Sequence, residues 1–431
     1  MRLRLMAVPI LVLATVIAFD AVSGPHPTLA GQVWNVRVGD GGQGVAAATF
    51  FPGAITIHSG DTIHFLAPDS WEPHTVTSIP DGVNEPHPYV GRPPKVMTNP
   101  LAFYPSFGGS GVQSYDPSKY YNSGFLFPGD QYNGTDTADV SFSTPGTYTF
   151  FCLLHSGVDP TTHKIGGMHV DVTVVPQGSS GPTSQADIDA AASAQRTTLI
   201  NAGVQALNTF PLTQTKLSDG STNWGVTAGG YGLDTLDPDG VTDIAQFTPS
   251  GLSVNTGDTV TWTNDTGTFH TITFLSGGPD IPLLLPIAAT GGGPPNFEIN
   301  PSALEPAGGP TYDGTGYVNS GFLDTEVSPF GSTFSLTFTK AGTYQYICHL
   351  HDQVGMIGTI NVTDAAVPAV PSAAAPSTAA PARPETIAPP DTGTGPPRRG
   401  SGGWLVAIMV LGMIGATFAL AGTRLVGRRT D

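Results

Sequence analysis

The chain is poor in charge, and poorest in positive charge. Lysine and arginine number 16 of 431 residues against 33 aspartates and glutamates, for a formal net charge of −17. A general nucleic-acid binder needs basic patches, so this balance excludes one. Charged residues of both signs make up 11%, where about 25% is usual. Helical bundles need charged outer faces, so such a bundle is disfavoured. A charge-rich disordered chain is excluded as well, because 39% of the residues are hydrophobic. Cysteine is scarcer still, with two residues. The G-x-S-x-G, H-E-x-x-H and P-loop signatures are missing, and with them those hydrolytic and nucleotide chemistries. Glycine (55) and proline (40) are plentiful. They suit a β-rich chain with many turns and some apolar targeting segments.

Both ends read as targeting segments. Residues 1–30 have the form of a secretory signal: Arg2 and Arg4, an apolar stretch from Leu5 to Phe19, and a small-residue site at Thr28-Leu29-Ala30. Trp404 to Gly422 is an uncharged run of 19 residues, long enough to span a membrane as a helix. Arg424, Arg428 and Arg429 in the basic tail 423–431 place the C-terminus inside. The Pro/Ala-rich stretch 364–403 lacks apolar periodicity and reads as an extended stalk. Within it, Pro389-Pro390-Asp391-Thr392-Gly393 resembles a sortase signal, although Pro389 stands where leucine is usual. The expected location is the extracellular face of the cell membrane, with a single span. Cell-wall anchoring is the alternative.

The middle of the chain repeats itself. Asn122-Ser123-Gly124-Phe125-Leu126 returns as Asn319-Ser320-Gly321-Phe322-Leu323, and Gly60-Asp61-Thr62 as Gly257-Asp258-Thr259, each at an offset of 197. His74-Thr75-Val76-Thr77 returns as His270-Thr271-Ile272-Thr273, and Cys152 returns as Cys348, each at an offset of 196. Matches in one order at nearly one offset imply a duplicated unit. Segments such as Thr259-Val260-Thr261-Trp262-Thr263 and Phe334-Ser335-Leu336-Thr337-Phe338 alternate apolar and polar residues, as half-buried strands do. Many short strands with frequent turns predict an antiparallel sandwich or barrel in each copy. Each copy carries a long Gly/Pro-rich insert, about residues 80–120 and 276–316; loops of that length are usually functional or mobile. The connector 176–222 contains one helical candidate, capped by Ser184, with Ile188, Ala192, Leu199 and Leu207 as a loose apolar stripe.

The residues after each cysteine carry the chemistry. The second copy reads Cys348-His349-Leu350-His351 and then Met356, with His270 upstream; the first reads Cys152-Leu153-Leu154-His155 and then Met168, with His74 upstream. A soft thiolate, two imidazoles and a distant thioether make a type 1 copper site. Two cysteines in an exported chain could instead form a disulfide. Their equivalent positions, each beside its own histidine and methionine, favour one thiolate per copy. Zinc is disfavoured by a thioether ligand. In the first copy 12 residues separate His155 from Met168, against 4 between His351 and Met356. The extra residues read as a bulge on the ligand loop that keeps Met168 in place, with His163 as the alternative ligand.

Each copy resembles a cupredoxin, the plastocyanin/azurin/halocyanin type of blue copper domain. The resemblance covers residues 31–175 and 223–363 and includes the Gly-Thr-Tyr ahead of each cysteine. It implies an all-β chain of two tandem Greek-key β-sandwich domains. It also implies one type 1 copper in each, held by His74, Cys152, His155 and Met168, and by His270, Cys348, His351 and Met356. The function it implies is one-electron transfer, with electrons crossing the exposed edge of His155 or His351. Copper buffering or delivery is the alternative. A copper oxidase or reductase with an intersubunit site is a weaker one, because His349-Leu350-His351 is a lone His-x-His pair. His349 is the residue to watch for such an interfacial site. The first copy holds 5 basic and 12 acidic residues, a net of −7; the second holds Lys340 against 13 acidic residues, a net of −12. Such surfaces suit a basic redox partner, for example a cytochrome or an oxidase.

Overall fold

The computed structural model describes residues 31–67, 72–107, 111–126, 136–158, 165–181, 184–233, 240–279, 281–325 and 328–364. The expected signal, the membrane span, the basic tail, His163 and all but the first residue of the expected stalk lie outside the described residues. Among the described residues no helix is long and apolar enough to cross a membrane.

The alternating segments form strands whose apolar side chains turn inward. In Thr62–Leu66, Ile63 and Phe65 are buried between half-exposed neighbours; in Thr259–Thr263, Val260 and Trp262 are. The architecture is all-β, with two-sheet sandwiches. In the first half, Val33–Gly42 lies antiparallel to Val45–Phe51 and parallel to Thr62–Leu66. On the opposing sheet, Ile165–Val175 lies antiparallel to Gly146–Val158 and parallel to Ala54–His58. The second half pairs its strands in the same way. Thr222–Ala228 runs parallel to Thr259–Thr263, and Ile357–Thr363 runs parallel to Gly251–Asn255 and antiparallel to Gly342–Ile347. Each sandwich closes over an aromatic core, built around Phe65, Phe142 and Phe150 in the first half and Trp262, Phe274 and Phe338 in the second. Burying one such ring contributes about 1.5–3 kcal/mol.

Three features join the halves. First, Val241–Ile244 pairs antiparallel with Val45–Phe51, placing Asp243 opposite Ala46, and so extends a first-half sheet with second-half residues. At the offset of 197 these two positions correspond to each other, so each half contributes the matching strand. Second, the helix Gln185–Leu207 packs on Val45, Ala47 and Phe51. Ser184 caps it through a capping box with Asp187. Ile188, Ala192, Leu199, Ile200 and Gly203 are buried, whereas Leu207 is half-buried. Arg196 Nε pairs with buried Asp40 at 2.9 Å. A Cβ on Gly203 would lie 2.4 Å from Val45 Cγ1, so this contact requires glycine. The connector also supplies a strand, Thr213–Lys216, which pairs with Thr222–Ala228.

Third, the two inserts are joint structure rather than loose loops. Tyr89–Arg92, Lys95–Thr98, Asn296–Ile299 and Leu284–Ile287 form one four-stranded sheet, joined between the halves at Glu298↔Met97. Beneath it lies an apolar cluster that includes Phe103, Phe125, Leu153, Phe297 and Phe322. Apolar residues at intervals within the Gly/Pro-rich stretches made this possible, and only a neighbouring insert could cover them.

Candidate metal centres

The strand Gly146–Val158 carries Cys152, and Gly342–Ile347 leads into Cys348. Cys152 Sγ lies 3.5 Å from His155 Nδ1 and 4.0 Å from His74 Nδ1. Cys348 Sγ lies 3.5 Å from His351 Nδ1 and 3.8 Å from His270 Nδ1. A sulfur and a nitrogen bound to one ion at ordinary bond lengths stand about 3.5–4 Å apart at trigonal angles. The structure therefore brings six of the expected ligands into two triads whose spacing and donor types fit a single soft ion each. Both cysteines are fully buried.

Met168 and Met356 are fully buried, each in the same core as its cysteine. Cys348 N donates to Met356 O at 3.1 Å, and Met356 N donates to His351 O at 2.9 Å. In the first half the pair Phe151↔His169 brings Met168 one step on, across from Cys152. The strands shift register between Phe151 and Ser156, a bulge at the ligand segment itself, before the hairpin continues. Pairing resumes at Ser156↔Gly167, Gly157↔Gly166 and Val158↔Ile165.

The repeated motifs build the support around the ligands. Thr75 N and Thr271 N donate to the two sulfurs, each at 3.3 Å. Thr75 Oγ1 accepts from Leu153 N and Thr271 Oγ1 from His349 N, each at 2.9 Å. Thr77 and Thr273 donate to Asn122 and Asn319. The Asn122 amide then ties down carbonyls of Leu101, Ala102 and Tyr104, and the Asn319 amide those of Ser302, Ala303 and Glu305. The Asn-Ser-Gly-Phe-Leu repeat is thus a buttress that anchors each insert to its histidine strand. Gly39 and Gly229 complete the pockets: a Cβ on either would come 2.1 Å from Nε2 of His74 or His270.

Burial alone pushes both thiols up, but the neighbouring imidazoles outweigh it and hold each well below the ordinary thiol range. The thiolate is the ligating form, so the sites are set for a cation.

The outer edges of His155 and His351 were expected to face solvent. They face each other instead, across the carboxylate of Glu72. Glu72 Oε2 lies 2.9 Å from His155 Nε2, and Oε1 lies 3.1 Å from His351 Nε2. His351 is 3% exposed, Glu72 8% and His155 19%. The reason for the correction is the packing of the halves, which brings both ligand ends to one interface. Burial raises Glu72, but attraction to and hydrogen bonds from the two imidazoles bring its carboxyl well below the usual range. Burial lowers His155, yet the charges of Glu72 and Cys152 push it up to about 10. Asp243, also buried here, is raised to about 6, chiefly by burial. Among the described residues both its carboxylate oxygens lack hydrogen-bond partners, as does His270 Nε2, which lies 4.0 Å away.

Glu72 and Asp243 had no signal in the sequence. Thr268 and Ala46 stand at the matching positions of the other copy, so the internal repeat could not mark them. His349, the residue to watch for an interfacial site, belongs to none of the described clusters of metal-binding type; its Nε2 lies 3.4 Å from Tyr317 Oη. His64 pairs with Asp139 at 2.6 Å, away from both triads.

Residues 239–363 match the family of copper binding proteins, plastocyanin/azurin family. A plastocyanin from Scenedesmus fuscus is 29% identical over 116 residues, which are 27% of this chain and 85% of that protein. Among solved structures, the Cu(I) form of an amicyanin mutant is similar, with 25% identity over 26% of this chain and 70% of that one, at a TM-score of 0.15. A purple cupredoxin from Nitrosopumilus maritimus has 20% identity over 32% of this chain and 98% of that one, at a TM-score of 0.18.

Proposed function

We propose that this protein is an electron carrier with two type 1 copper centres, one in each half, exported and held at the outer face of the membrane by its C-terminal apolar run. The observation that carries the reading is the pair of Cys/His/His triads, each built on a buried cysteine with a buried methionine in the same core, in a chain whose residues 239–363 match a copper-binding family. His74, Cys152, His155 and Met168 would hold the first ion, and His270, Cys348, His351 and Met356 the second. Copper bound in such a set supplies reversible one-electron chemistry. The chain's own part is to hold the donors still. Amide donors to each sulfur, the threonine–asparagine buttress and the burial of both cysteines and methionines resist rearrangement when the charge of the ion changes. The same burial disfavours a buffer or delivery role, which needs ligands that open. A basic redox protein, such as a cytochrome or an oxidase, is the partner that the acidic surface suits.

Visible absorption and paramagnetic resonance of the copper-loaded chain test this reading. An intense thiolate-to-copper band should appear, with two coppers per chain. Cys152→Ser should keep about half of that band, since thiolate is the soft donor that makes it. A colourless loaded protein would sink the proposal. Complete loss of colour in Cys152→Ser would remove the second centre from it.

A further inference from the structure

Most buried polar groups in the molecule serve one half. Glu72 serves both. It belongs to the first half, yet its two oxygens take one imidazole from each half, at 2.9 and 3.1 Å. Because Nδ1 of each ring faces a cysteine sulfur, Nε2 is left as the N–H donor, and the carboxylate accepts from both. Glu72, Asp243 and His351 also bring donor atoms within 4.8 Å of one another, so a further ion there is the competing reading. Ligating histidines commonly donate their second N–H to a carboxylate, and that partner sets ring orientation and donor strength. Here a single carboxylate does so for two sites.

We propose that Glu72 is a positioning residue that couples the two centres, and that electrons pass between them through His155, Glu72 and His351. This rests on the two-centre reading above. The route has two non-bonded gaps, both hydrogen bonds, and burial keeps water from loosening either. The exchange moves one electron and no proton. The centre that gives it is oxidised by one unit, the centre that receives it is reduced by one, and both hydrogen bonds are the same afterwards. The two ends differ: His155 keeps 19% of its side-chain surface and His351 keeps 3%. Electrons from outside therefore enter at the first-half centre and reach the second through Glu72.

Glu72→Gln tests this in the copper-loaded chain. The amide keeps the shape but can accept from one imidazole only, because its NH2 group faces the other N–H. Two coppers and the blue band should remain. After partial reduction by a light-triggered donor, exchange between the centres should slow by about 10-fold or more, in line with the loss of activity when such a partner is removed. The potential of the remaining centre should rise when Glu72→Gln is added to Cys152→Ser, and likewise when it is added to Cys348→Ser. Only a carboxylate shared across the interface moves both. Glu72→Asp, which keeps the charge but draws the carboxylate back by one methylene from both rings, should slow exchange to a similar extent and guards against misfolding of the amide variant. Unchanged exchange in a variant that holds both coppers would overturn the bridge and leave the two-centre reading intact. A wild-type chain with one blue centre would overturn both. A third bound ion per chain, lost in Asp243→Asn, would also overturn the bridge, by making Glu72 a metal ligand.

Discussion

Asp61 and Asp258, from the repeated Gly-Asp-Thr turns, each tie an indole N–H and two backbone amides together. Asp61 accepts from Gln32 N and Trp34 Nε1 at 2.8 Å and from His58 N at 2.9 Å. Asp258 accepts from Thr222 N at 2.7 Å, Asn255 N at 2.9 Å and Trp224 Nε1 at 3.2 Å. The turn was legible in the sequence, whereas the tie to the first strand of each half was not. Burial pushes Asp258 up, but the Asn255, Thr222 and Trp224 donors prevail and hold it below its ordinary value. A carboxyl with a lowered folded value contributes its full stability above the unfolded value near 4, and loses it as pH falls through the folded value. Asp258→Asn should cost about 1.5–3 kcal/mol at neutral pH by leaving buried donors poorly matched. Urea unfolding should show that cost shrinking below pH 4. An equal cost at pH 7 and pH 3 would rule out the carboxylate's charge as the source.

At the scale of elements, the inserts are the surprise. Their composition resembles that of loops, because glycine and proline dominate it. Their fate depends on a few apolar residues that find partners in the opposite insert. Phe297 packs on Phe103 with ring centroids 5.0 Å apart, and each ring comes from a different half. Phe297→Ala should therefore destabilise the protein by about 3–5 kcal/mol, the usual loss for a buried phenylalanine. It should also weaken the contact on which Glu72 depends. Denaturant unfolding measures the first effect; slower exchange between the centres in the same variant measures the second. A loss under about 1 kcal/mol would mean that the insert sheet is not part of the folded core. The helix was the opposite case. Its cap and most of its stripe could be read locally, because a capping box and i, i+4 spacing are short-range features.

Across the whole molecule, the shared sheet, the helix, the insert sheet and Glu72 leave neither half independent. Heat or urea should therefore produce one transition, observed alike by backbone and aromatic signals. On the two-centre proposal, free copper at 100 times its dissociation constant should add up to about 2.7 kcal/mol per site, less whatever it gains on the thiols and imidazoles of the unfolded chain. Chelation should lower the melting temperature without splitting the transition. Two separate transitions in the metal-free chain would show that the halves fold alone.

What the sequence determined by itself is local or periodic: the strands, the capped helix, and the two Cys/His/Met sets near Cys152 and Cys348. These follow from spacing along a strand or turn, and His74 and His270 could be added because the repeat carries them at one offset. Tertiary structure alone decided how the two ligand ends meet. Glu72 and His351 are 279 residues apart in the chain, and neither a period nor a repeat links them. Packing one half on the other turned the two histidine edges toward each other, and N–H groups withdrawn from water need a protein acceptor in its place.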